Sequence, residues 1–553
     1  MKFSRATFWA LVILIPFSFG FITSVTDNFF EISKNLDIFG HLYREINSTY
    51  VEDTDPEQLM RTGIDAMLQS LDPYTNFISE GEAEDLRFLS TGQYAGVGAV
   101  VGRQGDRILI MEPYRGYPAD EAGLQAGDEI VGIDGKPVSG ADMEVGEVRD
   151  RLRGKVGTDL SLTIRQADGT LREVALTRAR IKVDNVPYYG MVDEHVGYVK
   201  LTGFTQDAGQ ELEKAIRDLR QEQPDLQGLV LDLRNNPGGR LDEAVRIANT
   251  FIPQGEVIVE THGRMDASHR VHRAQRAAVE ETLPLVVLIN QGSASASEIV
   301  AGAIQDLDRG VIVGRRSFGK GLVQNIRPLI YNTQVKVTTA KYYTPSGRCI
   351  QAINYAERHR DGSVHRIPDS LRTSFLTRNG RTVFDGGGIE PDVEVAVPEW
   401  PAAVEALDVK GLIFDFATRF VNSHPQPADA RTFALAEEDY EAFLAFVASK
   451  PFSYETQADR ELQELKKTVA EEAYSDLLTE ELTALEAQLA REKSQDLNRH
   501  KELIVRLLER EIARRYFYMP GEIQADFDED PELNEALRLL RSPERYREIL
   551  AGR

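Results

Sequence analysis

Gly228-Leu229-Val230-Leu231-Asp232-Leu233 runs straight into Arg234-Asn235-Asn236-Pro237-Gly238-Gly239. The first half is short, apolar and branched, as a strand buried on both faces must be; the second half is a glycine-rich turn. Before it, Leu212, Ala215, Ile216 and Leu219 fall on one side of an amphipathic helix, and after it Ala244, Val245, Ala248 and Phe251 repeat the pattern. Two more apolar runs follow, Leu285-Val286-Val287-Leu288-Ile289 and Val311-Ile312-Val313. Strands alternating with helices predict βαβ units around a mostly parallel sheet, with functional groups gathered at the strand ends.

The loops at those ends carry chemistry. The second run leads to Gly292-Ser293-Ala294-Ser295-Ala296-Ser297-Glu298, and the third to Ser317-Phe318-Gly319-Lys320-Gly321 and then Gln324. A serine hydroxyl is a weak nucleophile until a base takes its proton, and small neighbours around Ser295 leave room for a substrate carbonyl. Lys320 must be neutral to be that base, which asks for about 3 to 5 kcal/mol of ammonium destabilisation to bring it from about 10.4 to 7 or 8. Phe318 and the flanking glycines suggest an apolar niche for it, and Arg315 and Arg316 would add repulsion if they point inward. The Gln324 carbonyl is placed to orient the amine. Two amides, those of Gly239 and Ala296, are the candidates for an oxyanion hole. Ser293 and Ser297 read as helix caps, and Glu298 as a stabiliser of the helix start. The implied reaction class is hydrolysis through a serine nucleophile.

Composition narrows the field. A chain of 553 residues with 42% hydrophobic and 27% charged residues holds several folded domains. Its net charge of -24 repels phosphate backbones, so nucleic acid is not expected as a partner. A single cysteine, Cys349, rules out an internal disulfide and reads as packed core. His262, His269 and His272 sit among Arg264, Arg270, Arg273 and Arg276, a pattern read as a solvated loop or substrate rim; with no third ligand beside them, neither a metal nor another cofactor is expected.

Lys2 and Arg5 precede an apolar run from Phe8 to Ile22, an export signal or an uncleaved membrane anchor over residues 1–26. That predicts an exported protein, periplasmic or held to the membrane on its extracytoplasmic side. Residues 27–88 follow with helical spacing at Phe39, Leu42, Ile46, Leu59, Ile64, Met67 and Leu71, a segment suited to docking on a neighbour or a second copy. Past Trp400, residues 401–553 read as helices, Leu435–Ser449 and then 459–516, stopped by Pro520-Gly521. A coiled-coil arm, a dimer contact, a lid, or a bundle packed on itself all fit.

Residues 89–181 form a separate β-rich module. Ala122-Gly123-Leu124, Gly127-Asp128, Ile130, Ile133 and Gly135 are spaced as in a PDZ domain, which this module resembles throughout. The resemblance implies capture of protein C-termini on Tyr94, Ala95, Gly96, Val97 and Gly98, with amides holding the carboxylate and a strand edge pairing with the peptide. Val145, Val148 and Leu152 would line the groove from a helix ending at Arg153-Gly154.

Taken together, Leu71-Asp72-Pro73, the PDZ module, Asp232 to Gly239, Gly292 to Glu298, Phe318 to Gly321, Tyr342 to Arg348 and Gly387-Gly388-Ile389-Glu390-Pro391-Asp392 resemble the C-terminal processing peptidases, or tail-specific proteases. The resemblance implies an α+β multidomain protein with a crotonase/Clp-like core at 182–400 into which the PDZ domain is inserted. It implies Ser295 as nucleophile, Lys320 as general base, Gln324 as its orienting partner and Gly239 with Ala296 as oxyanion donors. Arg153 is the candidate residue for coupling tail binding to the active form. Arg315-Arg316-Ser317 departs from the acidic or threonine residues that relatives carry there. A catalytically silent PDZ scaffold is the alternative, disfavoured because Ser295, Lys320 and Gln324 are all intact; a homodimer, an adaptor and the membrane remain open as partners.

Overall fold

The computed structural model describes residues 29–141, 143–358, 364–472 and 475–553, so the expected export segment lies outside the described residues. The described residues divide into two compact units, one running up to Glu80 together with Gln324–Thr338 and one of Gly81–Val323 with Thr339–Arg553.

In the first unit a helix over 29–49 precedes the helix Pro56–Gln69. Asp55 caps the latter, its carboxylate accepting from the amides of Glu57 and Gln58, and Pro56 sits where a missing N–H costs nothing. Asp72 makes the following turn by accepting from Tyr74 and Thr75 N–H, both at 2.8 Å. The strand Asn76–Ile78 then pairs antiparallel with Gln334 to Lys336. Phe29, Phe30, Leu36 and Leu42 on the first helix are exposed.

The second unit is built on a six-stranded sheet: β1 (Tyr188–Asp193), β2 (Val196–Lys200), β3 (Gly228–Asp232), β4 (Leu285–Ile289), β5 (Val311–Gly314) and β6 (Val393–Glu394), in that spatial order. β1 and β2 are antiparallel and every later pair is parallel. Helices α1 (Ala208–Glu222), α2 (Leu241–Phe251) and α3 (Ala296–Asp306) bury one face against Leu229, Leu231, Val287 and Ile289. Val230, Val286, Leu288 and Val313 point to the other face. Burial on both sides explains why these strands carry no polar alternation.

What covers that second face comes from far along the chain. Helices α4 (Pro531–Leu540) and α5 (Pro543–Leu550) leave the helical region and pack Leu533, Leu537, Leu540 and Tyr546 on the sheet. The Tyr546 hydroxyl accepts from Leu285 N–H at 3.0 Å and lies 3.1 Å from its carbonyl oxygen. Arg234, at the end of β3, pairs with Asp530 and Glu532 at 2.6 Å each. The core is therefore a three-layer sandwich whose third layer arrives last.

Between them, the helices from Ala402–Val409 to Lys501–Ala525 make a bundle of their own around Phe416, Phe443, Leu508 and Ile512. Glu437–Ala448 matches the expected helix. Pro520 does not end the last long helix: the backbone breaks at Tyr518, with φ of 60°, and helix resumes to Ala525. The PDZ sheet runs Ala99–Gln104, Arg107–Pro113, Glu129–Ile133, Asp159–Arg165, Leu171–Thr177, leaving Ala99–Gln104 on its edge. Val148, expected to line a groove, is instead fully buried in the module's core, and Leu152 keeps its place at the groove.

One buried ion pair fastens the loop after the Gln334–Tyr343 strand to α3. Arg348 donates to Asp306 at 2.8 Å and to Gln305 Oε1 at 2.7 Å, and both members of the ion pair are almost wholly buried. Replacing Arg348 by Leu strands the Asp306 carboxylate without its cation. Urea denaturation is expected to show a loss of about 3 to 5 kcal/mol; a change below 1 kcal/mol would contradict this account.

Candidate active site

Ser295 caps α3 with φ of 56° and ψ of −110°, a strained conformation for a residue with a side chain. The surroundings over-determine it. Ser293 Oγ donates to Leu233 O at 2.8 Å and accepts from Asn290 N–H at 2.9 Å. Ala294 N–H and Ser297 Oγ both donate to Asn236 O, at 3.0 and 2.9 Å. Ser293 and Ser297, expected as helix caps, thus lace the loop after β4 to the loop after β3. Gly238 has φ of +98°, and a Cβ on it would lie 2.7 Å from Ala294 O and 2.8 Å from Ala296 N. Only glycine allows the two loops to approach this closely.

The loop after β5 joins them. Arg315 N–H donates to Ile289 O and Phe318 N–H to Ser293 O, each at 3.0 Å. Gly319 O accepts from Ala352 N–H, and Gly321 N–H donates to Gln351 Oε1 at 2.7 Å. Lys320 is held half-buried between these anchors.

Glu298 closes the arrangement. Its carboxylate is fully buried and meets four donors: Ser317 Oγ at 2.6 Å and Gly319 N at 2.7 Å on one oxygen, Ser295 N at 2.8 Å and Lys320 N at 2.9 Å on the other. The backbones of Ser295 and Lys320 thereby share a single acceptor atom. Burial pushes the Glu298 carboxyl up to about 7, with the four hydrogen bonds pulling against it. On the far side, the buried Tyr342 hydroxyl lies 3.0 Å from Ser295 O and also contacts Lys320 O. Glu298 was legible as the fourth residue of a Ser-x-x-Glu capping motif; that its carboxylate also reaches the lysine loop, and that Tyr342 spans the same two residues, follows only from tertiary contact.

The amides of Ala296 and Gly239 find no acceptor among the described residues. Ala296 is the first residue of α3, where no intrahelical partner exists. Gly239 follows the Gly238 contact and forms a parallel bridge with Phe204. Gln324 belongs to the first unit, on the strand Leu322–Pro328, and there donates to Thr338 Oγ1 at 3.2 Å.

Other expectations need correction. Phe318 is 41% exposed and builds no apolar wall. Arg315 and Arg316 are drawn off by Glu532 at 3.6 Å and by Glu390 and Asp369, so they pair with carboxylates. His262 and His272 lie on an antiparallel ribbon of Val257–Gly263 and Arg270–Arg273 and not on a loop, whereas His269 sits in the connection between the two strands, its ring stacked on that of His262 at 5.3 Å. In keeping with its reading as a packed residue and not an activated thiol, burial raises the Cys349 thiol above its ordinary value. In the PDZ module, Gln93–Gly96 pairs with Ala179–Lys182, which shortens the expected amide-rich loop to Val97 and Gly98. Arg153 caps the helix Val145–Leu152. A cavity of about 850 Å³ below Asn235 and Asn290 is lined by Lys200, Asp232, Arg234 and Glu532 and not by Ser295 or Lys320.

Three segments of the chain match known families: residues 195–357 match Peptidase family S41, 109–166 a PDZ domain, and 403–540 the C-terminal helical domain of probable PDZ-proteases. The chain is 41% identical over 332 residues to the carboxy-terminal-processing protease of Bartonella bacilliformis, covering 59% of this chain and 75% of that one. It is 32% identical over 368 residues to the carboxy-terminal processing protease CtpA of Bacillus subtilis, covering 66% and 75%. Among solved structures, a photosystem II D1 C-terminal processing protease is 27% identical with a TM-score of 0.35 over 65% of this chain and 92% of that one. The PDZ domain of a carboxy-terminal protease from Vibrio cholerae, solved with a peptide, is 25% identical with a TM-score of 0.16, covering 16% and 99%.

The raised Glu298 carboxyl has a measurable consequence. A folded value of about 7 against an ordinary 4.5 means that the native state holds the proton more tightly, so its stabilisation is full below 4.5 and is lost as pH rises through 7. Glu298→Gln cannot titrate. Measured by urea denaturation from pH 4 to 8.5, the variant's stability relative to the wild type is expected to climb by about 3 kcal/mol across that window; parallel curves would show that Glu298 does not titrate there.

Proposed function

The chain belongs to the carboxy-terminal processing proteases of peptidase family S41, and on that premise we propose that it is an exported serine endopeptidase that grips protein tails with its PDZ domain and cuts by a Ser-Lys acyl-enzyme mechanism. The observation carrying this reading is the shared acceptor on Glu298, which draws the backbones of Ser295 and Lys320 to one atom although 25 positions separate them.

Ser295 Oγ attacks the scissile carbonyl carbon while Lys320 Nζ, neutral at that moment, takes the hydroxyl proton. The carbonyl oxygen becomes an oxyanion held by the unengaged N–H groups of Gly239 and Ala296, with the start of α3 adding its partial positive charge. Collapse breaks the C–N bond, and the lysine ammonium returns its proton to the departing amine. Water, deprotonated by the same lysine, then releases the acyl group and restores Ser295. Arg153 couples tail binding to the active form. Alanine and glycine around Ser295 suit small or apolar residues at the cut. Tails bind at the Val97-Gly98 turn that follows the strand ending in Tyr94, Ala95 and Gly96, and along the free edge of Ala99–Gln104. Lys2, Arg5 and the apolar run after them direct export.

The test is hydrolysis of casein and of a tail-bearing peptide by the wild type, Ser295→Ala and Lys320→Ala. Each variant is expected to lose at least about 10³-fold in kcat/KM at unchanged thermal stability. Equal rates in all three would end the dyad proposal. Fractionation of cells with protease accessibility of the intact chain tests export: protection inside the cytoplasm contradicts it.

A further inference from the structure

The PDZ groove already holds a carboxylate. Its cavity, about 420 Å³, is lined by Val97, Ala99, Val101 and Leu152 from the module, and by Asp85, Phe88 and Leu89 from the helix Ala83–Thr91. Asp85 bonds Arg149 at 3.2 Å through one oxygen and Arg153 through the other. Arg149 is one of two arginines in the last turn, and Arg153 the cap, of the helix Val145–Leu152, which forms the groove's second wall. Three residues on, Phe88 meets the ring of Tyr94 edge-on at 5.5 Å.

Chemistry marks this contact as replaceable. Asp85 keeps 42% of its side chain exposed, whereas Arg153 is only 12% exposed, lies over the Tyr94 ring at 5.4 Å, and has a buried Nε with no acceptor. A buried guanidinium with an unmet donor gains from a ligand able to use both edges of its fork. One short helix presenting an aromatic ring and a carboxylate three residues apart imitates the end of a peptide, an apolar side chain beside an acid. It is held by the half-exposed contacts of Asp85 with two arginines, by a few apolar contacts and, at its last turn, by Gln206 N–H donating to Ser90 O at 3.0 Å, so its Asp85 end is the part that a peptide adding strand hydrogen bonds can displace.

We propose that Arg149 and Arg153 form a carboxylate subsite of the groove, that Asp85 occupies it as an internal stand-in, and that substrate tails bind by displacing the Asp85 end of the Ala83–Thr91 helix. The inference rests on the tail-binding reading above. It adds a substrate class: tails that pair an apolar residue with a carboxylate, from the chain end or from an acidic side chain next to it.

Fluorescence anisotropy of labelled ten-residue peptides on the full-length Ser295→Ala protein tests it without cleavage. The peptides end in an apolar pair and carry either a free or an amidated terminus, with Asp or Asn at the third position from the end. Asp85→Asn is expected to tighten binding of carboxylate-bearing peptides at least 5-fold and to leave the amidated Asn peptide within 2-fold. Arg153→Ala should weaken the same peptides and cancel the gain when combined with Asp85→Asn. Whether the free terminus or the Asp side chain carries the gain identifies the carboxylate that is read. Equal affinity with and without Asp85, in a protein that still binds tails, overturns the stand-in alone. An equal gain for the amidated Asn peptide overturns the carboxylate subsite in favour of a steric plug. Absence of binding to every variant overturns the tail-binding reading and this inference with it.

Discussion

A single buried carboxylate organises the site. Glu298 is removed from water, yet it is surrounded by four donors and no cation among its hydrogen-bonding partners, so it is most useful when charged and easiest to bury when neutral. Its position follows from local rules: the fourth residue of a capping motif folds back on the start of its own helix. The tertiary structure extends that local bond across a second loop. With the helix start and the lysine loop bound to the same two oxygens, neither can shift without breaking hydrogen bonds inside the protein, where a lost partner is costly. The strained Ser295 backbone persists because this carboxylate and the Asn236 contacts leave it no alternative.

Much of this was legible from residues. The three apolar runs announced β3, β4 and β5 nearly to the residue, because strands buried on both faces must be apolar throughout. The glycines after β3 could be read as a turn; that Gly238 also lets this loop meet Ala294 and Ala296 emerges only from the tertiary packing. Local patterns failed where the environment was decided at a distance. Arg315 and Arg316 looked poised to crowd a lysine, and carboxylates from β6's approach and from α4 claim them. Phe318 looked apolar enough to bury, and the fold leaves it in solvent. Periodicity reports which face of an element is apolar, not which neighbour arrives to cover it.

The PDZ module and the core use opposite strategies for holding their ligands' chemistry. The core fixes its loops through buried hydrogen bonds and leaves the amides of Gly239 and Ala296 without acceptors among the described residues. The module's groove is filled from within the same chain, so a ligand must compete for its place. Such a pairing separates recognition, which is reversible and graded, from cleavage, which depends on a rigid arrangement.

The sheet's second face is clothed by helices that lie more than 130 residues after its last strand. A polypeptide emerging from the ribosome therefore finishes β1 to β6 while Val230, Val286, Leu288 and Val313 are still bare, and with Arg234 lacking the acids of α4. The sheet gains its third layer only after the whole helical bundle has been synthesised and the chain has turned back. A chain assembled in this order leaves one face of its central sheet uncovered until its last helices have been made.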